Sequence, residues 1–377
     1  MQKIAFIALT AFSLGCTAQT TNTRVGATKV SDKHTYGLQH FYLNNNGLTE
    51  KTNQVYERMT EEERVAQMII ASLGKLGKPY ETVEPLIKER RIGGIIFLSG
   101  DPNSFHDQIE AINAMSKDWP LIMSMDAEPS LLNRRMPGTP PMKPTAELTS
   151  EAEISHAVST IDSVLHHVGF HQNFAPVIDL SPNNEAIGNR TFGTEISTVV
   201  PKAVQFIKET QEDQIVATAK HFPGHGRVAG DTHKQLVYIN GELRELETYP
   251  PMIEAGVLSV MVGHIAVENN EVYSTNGMPS TLSPVIVKVL LRNELGFDGI
   301  IITDAMNMGA VTAIPHSGLL AAKAGCDMIL MPPDEKAVMQ DILQEMNVDP
   351  EFKKQVEESV KRIIRLKLCL GMSFSPT

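Results

Sequence analysis

The stretch Gly299-Ile-Ile-Ile-Thr-Asp304 is a short apolar run that ends in polar residues, and similar runs recur along the chain. Eight can be counted, at residues 68–73, 94–98, 121–125, 173–178, 215–219, 259–263, 299–302 and 328–331. Helix-length segments separate them, which is typical of parallel strands that are buried on both faces. Eight such strands over roughly 300 residues favour a single-domain α/β fold, a (β/α)8 TIM-like barrel, over a doubly wound sheet.

Composition places the chain among globular proteins with a full hydrophobic core. Of its 377 residues, 42% are apolar and 20% are charged, so no disulfide framework is needed for folding. The formal net charge of -11 at pH 7 argues against a nucleic-acid partner, because such proteins carry a basic stripe that neutralises phosphates. Cys326 and Cys369 each lie within an apolar pattern and are predicted to be core residues.

The first sixteen residues differ from the rest of the chain. Lys3 precedes an apolar run over residues 4–14, and Gly15 and Cys16 follow it. The run is too short for a stable membrane span, so it indicates an export signal. Ser-Leu-Gly-Cys at residues 13–16 resembles a bacterial lipobox, which favours lipidation of Cys16 over free secretion.

Three segments follow from this interpretation. Residues 1–16 are predicted to be a lipoprotein signal peptide, residues 17–46 a flexible polar tether and residues 47–377 the barrel. The predicted location is the cell envelope, where the exported protein is a membrane-anchored lipoprotein that faces the periplasm or the cell surface. The amphipathic segment 352–370 is the expected last helix of the barrel.

Polar residues follow the predicted strands, at the end of a barrel where active sites of this fold lie. They are Asp126, Glu128, Asp179, Arg190, Lys220, His221, His264 and Asp304. A single carboxylate after a strand can instead cap the next helix, and for Glu128 and Asp179 both interpretations remain open. For His264 we expect a core-facing histidine that is satisfied by backbone groups.

A loop rich in glycine and histidine follows the fifth strand, from Lys220-His-Phe-Pro-Gly-His-Gly226 to His233. Lys220 and His221 are placed to donate hydrogen bonds to a polyhydroxylated ligand. Asp231 lies beside His233, where a carboxylate orients the imidazole and favours its protonated form, as a general acid and base requires. A solvated loop with a chance histidine is one alternative.

A metal cluster is the other alternative for this loop, with His221, His225 and His233 as ligands. Zinc needs ligands at fixed positions, whereas these histidines lie on a glycine-hinged loop without a matching cysteine or glutamate pattern. We therefore predict no metal and no cofactor.

Several motifs together resemble glycoside hydrolase family 3, specifically its bacterial exo-β-N-acetylglucosaminidases. They are residues 220–226, the pair Asp231 and His233, and residues 301–308, 188–193 and 92–95. The resemblance covers nearly the whole chain from residue 56 to residue 371, and it implies a retaining β-glycosidase built on the family's N-terminal-type catalytic barrel. Asp304 then corresponds to the nucleophile, His233 to the acid/base and Asp231 to its partner.

The same resemblance implies a set of sugar-binding residues, namely Asp126, Arg134, Arg190, Lys220 and His221. The chain departs from the family pattern at Pro129 and Ser130, where related enzymes commonly carry Gly-Gly or Trp-Gly. A different loop shape is therefore expected between Asp126 and Arg134.

The predicted function is a retaining exo-β-N-acetylglucosaminidase that removes terminal β-linked N-acetylhexosamine, from peptidoglycan fragments, through a covalent glycosyl-aspartate. A carbohydrate substrate and a membrane reached only by the lipid anchor are the expected partners, and the protein is expected to be a monomer. A histidine acid/base is neutral once it has given up its proton and repels an incoming anion less than a carboxylate, so phosphate and water both remain open as acceptors.

Three alternatives remain. The first is a β-glycosidase or glycoside phosphorylase of the same family with another sugar specificity. The second is a catalytically silent sugar-binding lipoprotein, and the third is a metal-dependent hydrolase barrel. The presence of both Asp304 and His233 argues against the silent protein, and a chelator test separates the metal enzyme.

Overall fold

The computed structural model describes residues 36–181 and 184–374. The predicted signal peptide, Cys16 and residues 17–35 of the predicted tether lie outside the described residues. Within the described ranges, none of the helices has the length and hydropathy of a membrane span.

Ten strands occur in the described residues. They are β1 (Ile69–Leu73), β2 (Gly94–Phe97), β3 (Ile122–Met125), β4 (Gln172–Asn173), β5 (Val216–Phe222), β6 (Val237–Asn240), β7 (Ser259–Val262), β8 (Ile265–Glu268), β9 (Ile300–Thr303) and β10 (Ile329–Leu330). Eight of them pair in parallel in the order β10-β1-β2-β3-β4-β5-β7-β9. A bridge between Ile302 and Met328 joins the two outer strands. The predicted (β/α)8 barrel is confirmed, and each of its strands overlaps one of the eight apolar runs.

Helices alternate with these strands and cover the outside of the barrel. They are α1 (Asn46–Arg58), α2 (Glu61–Ala66), α3 (Tyr80–Lys88), α4 (Pro102–Met115), α5 (Leu132–Arg135), α6 (Glu151–Val168), α7 (Ile196–Glu212), α8 (Tyr249–Glu254), α9 (Ser317–Ala324), α10 (Glu335–Val348) and α11 (Pro350–Cys369), with a π-helix at Val285–Glu294. Local sequence sets several of their ends. Ser150 and Glu153 form a capping box at the start of α6, and Gly169 ends it in the left-handed conformation.

The predicted last helix is confirmed as α11, whose inner face carries the fully buried Val360, Ile363 and Ile364. Cys326 and Cys369 are buried free thiols, as the apolar patterns around them predict. Inside the barrel, Gln172 of β4 donates hydrogen bonds to Thr218 (3.1 Å) and Ser259 (3.2 Å) on neighbouring strands. The interior is therefore filled with side chains, and ligands reach only its ends.

Strand β4 is shorter than the predicted run 173–178. Pro176 lacks a backbone N–H and interrupts the ladder, and beyond it Val177 pairs only through single bridges to Thr191 and Lys220. The sheet therefore opens early at this position, which leaves room for the side chains that follow β4 and β5.

A parallel ribbon of β6 and β8 lies outside the barrel and was not predicted from the sequence. Along its first strand, buried Val237 and half-buried Ile239 alternate with exposed Tyr238 and Asn240, so it lacks the fully buried run that marks the barrel strands. Its second strand follows β7 after only Gly263 and His264. Because β6 comes directly after the glycine-rich loop, the ribbon supports one end of that loop.

The structure differs from the predicted flexible tether at residues 36–45. Leu38 and Phe41 are buried there, Arg365 donates hydrogen bonds to the carbonyl oxygens of Phe41 and Leu43 (both 2.6 Å), and the Tyr42 hydroxyl donates to the carbonyl of Val257 (2.6 Å). Leu38 and Phe41, together with these hydrogen bonds, hold the segment against the barrel end where the strands begin.

Candidate active site

Asp304 lies directly after β9, at the barrel end formed by the carboxyl ends of the strands. Its Oδ1 accepts a hydrogen bond from the backbone N–H of Ala305 at 2.8 Å. Burial favours a raised pKa for this carboxyl, but nearby His221 and His264 and the Ala305 N–H outweigh that effect and lower the pKa of Asp304 to about 2. The side chain is therefore an anion at neutral pH, the state in which a carboxylate can act as a nucleophile.

His264 is buried behind this carboxylate, and protein groups satisfy both of its ring nitrogens. Nδ1 lies 2.8 Å from Oγ1 of Thr281, and Nε2 lies 3.0 Å from the carbonyl oxygen of Ala305. Burial lowers the pKa of His264. The expectation of a core-facing histidine is confirmed, with one side-chain and one backbone partner, and its contact with Ala305 supports the residue that holds Asp304.

A network of two carboxylates and two cationic side chains lies across the barrel mouth. Lys220 Nζ contacts Oδ1 of Asp126 at 2.8 Å and Oε1 of Glu128 at 2.6 Å. Arg190 donates two hydrogen bonds to Glu128, at 2.8 and 2.7 Å. The structure thus brings together the predicted sugar-binding residues Asp126, Arg190 and Lys220.

Glu128 is at the centre of this network and does not cap a helix. Burial favours a raised pKa, but Arg190 and Lys220 outweigh it and lower the pKa of Glu128 to about 2. The Glu128 side chain is 1% exposed, whereas that of Asp126 is 17% exposed. Asp126 is therefore the carboxylate that remains accessible to a ligand, and Glu128 holds the two cations in place.

Asp179 has a similar supporting role for His221. Its Oδ2 lies 2.7 Å from His221 Nδ1, and its Oδ1 accepts a hydrogen bond from the backbone N–H of His225 at 2.7 Å. Burial favours a raised pKa, but His221 outweighs it and the pKa of Asp179 is lowered. Asp179 also does not cap a helix. It fixes the His221 ring through Nδ1 and so leaves Nε2 as the nitrogen available for a ligand.

The structure does not bring Arg134 into this network. Arg134 is exposed, whereas Nη2 of the next residue, Arg135, lies 3.7 Å from Oδ2 of Asp126. Nε of Arg135 is buried and has no hydrogen-bond partner among the described residues. Ser130 shapes this turn, because its hydroxyl donates to the carbonyl of Asn189 at 2.8 Å. The altered Pro129-Ser130 pair thus accompanies a turn in which Arg135 faces the mouth.

His233 and Asp231 form the predicted pair on the glycine-rich loop. Oδ1 of Asp231 lies 2.8 Å from His233 Nδ1 and accepts a hydrogen bond from the His233 backbone N–H at 2.9 Å. Burial favours a raised pKa for Asp231, but the backbone N–H and ring of His233 outweigh it and the pKa of Asp231 is lowered. The His233 side chain is 64% exposed, so its Nε2 is open to a ligand.

The three histidines of the considered metal cluster have separate partners. His221 faces Asp179, His225 Nε2 lies 3.1 Å from the hydroxyl of Thr232, and His233 faces Asp231. Across residues 36–181 and 184–374, His, Cys, Asp and Glu side chains form no group of three or more that is arranged to hold a metal ion.

Glu128, Asp179 and Arg135 belong to the candidate site, but the sequence predicted no role for Arg135 and left the roles of Glu128 and Asp179 open. Glu128 and Asp179 had a signal, because both follow predicted strands at the reactive end of the barrel. Arg135 had none, since nothing in the local pattern distinguishes two adjacent arginines on one turn. Its position is a result of packing.

Residues 60–366 match the glycosyl hydrolase family 3 N-terminal domain. A β-hexosaminidase from Vibrio cholerae serotype O1 is 30% identical over 275 residues, which cover 68% of this chain and 79% of the relative. The structure of a glycoside hydrolase family 3 β-N-acetylglucosaminidase from Paenibacillus sp. str. FPU-7 superposes with a TM-score of 0.75 at 27% identity, covering 83% of this chain and 63% of that one. A β-N-acetylhexosaminidase from Beutenbergia cavernae shares the fold, with a TM-score of 0.73 at 23% identity over 81% of this chain and 97% of its own.

Proposed function

The chain belongs to glycosyl hydrolase family 3, and from this premise we propose that it is a retaining exo-β-N-acetylglucosaminidase. The observation that carries the proposal is the pairing of an ionised carboxylate, Asp304, with a histidine held by a carboxylate, His233, at one mouth of the barrel. Retaining hydrolysis requires these two functions, a nucleophile and a group that first gives and then takes a proton.

In the first step of the proposed reaction, an oxygen of Asp304 attacks the anomeric carbon as the glycosidic bond breaks. Nε2–H of His233 gives its proton to the leaving oxygen, and Asp231 stabilises the ring while it carries the charge. In the second step the neutral ring takes a proton from water, which attacks the anomeric carbon and releases Asp304. The anomeric configuration is thus inverted twice and retained overall.

The network around Asp126 supports recognition of a sugar ring. Lys220 and Glu128 are both 1% exposed, so their positions are fixed by protein contacts before any ligand arrives. Asp126 presents an acceptor and Arg135 a donor toward the mouth, and Nε2 of His221 adds a third polar atom, a combination suited to neighbouring hydroxyl groups. Preorganised groups of this kind bind without an ordering cost at the moment of binding.

We further propose that the substrates are N-acetylglucosamine-containing peptidoglycan fragments and that the protein acts in the cell envelope. The predicted lipidation of Cys16 supports this location. The first described residues, 36–45, pack at the barrel end where the strands begin.

The proposal is tested with a panel of p-nitrophenyl glycosides, assayed in buffer alone, with phosphate and with a chelator. We expect release from the β-N-acetylglucosaminide without phosphate and without loss on chelation, and proton NMR should show the β-anomer as the first product. Preference for a β-glucoside would assign another sugar specificity, and a requirement for phosphate would identify a phosphorylase. Loss on chelation would overturn the metal-free mechanism.

A further inference from the structure

Glu245 is a buried carboxylate that none of the proposed catalytic steps uses. It lies in the segment between β6 and the 3₁₀ helix Leu246–Thr248 and is 4% exposed. Its side chain accepts hydrogen bonds from three backbone N–H groups, those of Leu180 (2.6 Å), Arg227 (2.8 Å) and Gly226 (3.2 Å). Burial and nearby Asp179 raise the pKa of Glu245 to about 7. Its two carboxyl oxygens still accept the three hydrogen bonds when the group is protonated, and these bonds fix the segments that carry the donors.

These three donors come from two segments of the site. Leu180 follows Asp179, the residue that holds His221, and Gly226 and Arg227 form the stem of the loop that carries Asp231 and His233. Glu245 therefore joins the segment after β4 to the stem of the acid/base loop.

The glycines of the stem show how closely Glu245 fits. Gly224 has a φ of +129°, and a Cβ there would overlap with the side chain of Glu245. A Cβ on Gly226 would overlap with the backbone of Leu180. Both positions need glycine because the stem, Leu180 and Glu245 are in direct contact.

The loop is not closely packed against the β6 segment. A cavity of about 240 Å³ lies between them, with Glu245 itself, Pro223, Val228 and Tyr238 among its lining residues. Since packing is incomplete there, hydrogen bonds hold the stem. Glu245 accepts two of them, from Gly226 and Arg227, and Asp179 accepts the one from the His225 N–H. Asn184 Nδ2 donates to the carbonyl oxygens of His225 (3.0 Å) and Val228 (2.7 Å).

We propose that Glu245 is a positioning residue for the acid/base, which holds the stem of the loop so that His233 reaches the leaving-group oxygen. Glu245 does not touch the substrate in this scheme. The inference rests on the proposed function, because it assigns His233 the proton transfer, and it adds a residue that no family motif used above includes.

The test compares Glu245→Ala and Glu245→Gln with the control Glu242→Gln. Glu242 lies three residues earlier with a side chain that is 87% exposed. Each protein is assayed on a dinitrophenyl β-N-acetylglucosaminide, whose leaving group departs without a proton, and on a disaccharide that needs one. We expect Glu245→Ala to lower kcat/KM about 10- to 100-fold on the disaccharide and less than about threefold on the activated substrate, within the range of general acid catalysis.

Two further readouts separate positioning from a general loss of structure. Azide should restore kcat of Glu245→Ala on the activated substrate, because it attacks the glycosyl-enzyme without needing a general base. Hydrogen exchange should accelerate in peptides covering residues 223–236 and stay unchanged in β1 and β2. Glu245→Gln should lie between the wild type and Glu245→Ala, since its amide keeps one acceptor oxygen, and Glu242→Gln should match the wild type.

Equal losses on both substrates, or no loss on either, would overturn the inference. If Glu245→Ala does not fold, Glu245→Gln carries the comparison. A wild-type protein that cleaves neither substrate would instead refute the proposed function, and the exchange rates of residues 223–236 would then still decide whether Glu245 holds the loop.

Discussion

The backbone N–H of Gly309 donates a hydrogen bond to the carbonyl oxygen of His233 at 3.2 Å. This contact joins the loop that carries the candidate acid/base to the loop that follows the candidate nucleophile, Asp304. A second backbone bond, from Ala310 to the carbonyl of Thr232 at 3.3 Å, lies beside it. The two loops are thus joined through backbone hydrogen bonds. Substitution of the Asp304 or His233 side chain leaves these bonds in place, so the contribution of each side chain can be measured separately.

Replacement of the nucleophile is expected to abolish turnover. Asp304→Ala should lower kcat by more than about 10³-fold, because removal of a covalent nucleophile leaves only binding and electrostatic contributions. The measurement is steady-state hydrolysis of p-nitrophenyl β-N-acetylglucosaminide. Mass spectrometry of the wild type with a 5-fluoro glycosyl fluoride should also find the label on the peptide that contains Asp304.

Asp298→Ala is the matched control for this variant. Asp298 is exposed and lies before β9, at the opposite end of the same strand, so its loss should leave kcat unchanged. A label on another carboxylate, or wild-type activity of Asp304→Ala, would show that the motif match assigned the wrong nucleophile.

Loss of the acid/base should depend on the leaving group. His233→Ala should lower kcat/KM about 10²- to 10⁴-fold on a disaccharide, because a sugar alkoxide cannot depart without a proton. A dinitrophenolate can, so kcat/KM on the dinitrophenyl glycoside should change little, and breakdown of the Asp304 adduct should become the slow step. Burst kinetics on the activated substrate measure this change of step.

Asp231→Asn should shift both substrates in the same direction as His233→Ala but by less. The amide keeps a hydrogen bond to the ring, yet it no longer stabilises the protonated imidazole as a carboxylate does. Similar losses of kcat/KM on both leaving groups in His233→Ala would give His233 a structural or substrate-binding role, and another residue would have to donate the proton.

Two adjacent arginines can be distinguished by their effect on KM. Arg135→Ala should raise KM about tenfold or more, because a hydrogen bond to a charged group contributes about 1.5–3 kcal/mol and the Arg135 guanidinium lies beside Asp126. Arg134→Ala should change KM less than twofold, since its side chain is exposed. The reverse pattern would favour the motif match over the geometry.

Asp162 is expected to make folding stability depend on pH. It is fully buried between α6 and α7, and neither of its oxygens has a hydrogen-bond partner among the described residues. Burial, with nearby Asp213 and Glu209, raises the pKa of Asp162 to about 8. The folded chain keeps this proton up to that pH while the unfolded chain loses it near pH 4, so the free energy of unfolding should fall as pH rises between them.

Asp162→Asn should remove this dependence. The contribution from one group is at most about 1.4 kcal/mol per pH unit, and urea unfolding at pH 5, 6.5 and 8 measures the slope. The variant should gain most, relative to the wild type, at pH 8. Asp107→Asn, an exposed aspartate on α4, should leave the slope unchanged, and identical slopes for Asp162→Asn and the wild type would contradict the prediction.

The membrane anchor is tested at Cys16. Cys16→Ala should move the protein from the membrane pellet to the soluble fraction, because a lipidated cysteine is the only attachment that the prediction provides. Incorporation of labelled palmitate should be lost in the same variant. A protein that stays in the pellet and remains unlabelled in both forms would remove the lipoprotein hypothesis without affecting the enzymatic one.

The barrel was predictable because its strands are buried on both faces. Runs such as Gly299–Ile302 must be apolar throughout, because one face packs against the barrel interior and the other against the helices. Each strand can therefore be recognised from a few consecutive residues. The ribbon strand β6 has no such requirement, since only one of its faces is covered, and residues 36–45 bury only Leu38 and Phe41 completely. A segment that is buried over a few residues or on one face has a weak hydrophobic pattern, from which its structure cannot be predicted.

The candidate site divides in the same way. Asp304, His221, Lys220 and the pair Asp231 and His233 were found because their residue types and their places after a strand or within a loop are local properties. The roles of other residues depend on partners far along the chain.

Lys220 meets Asp126, 94 residues away, and Glu245 meets Leu180, 65 residues away. Whether Arg134 or Arg135 faces the mouth depends on how one turn packs against the segment that follows β4. Hydrophobic periodicity and turn chemistry depend on neighbouring residues, so they can be recognised from the sequence alone. Contacts between distant segments arise only when the closed barrel brings the carboxyl ends of its strands to one face.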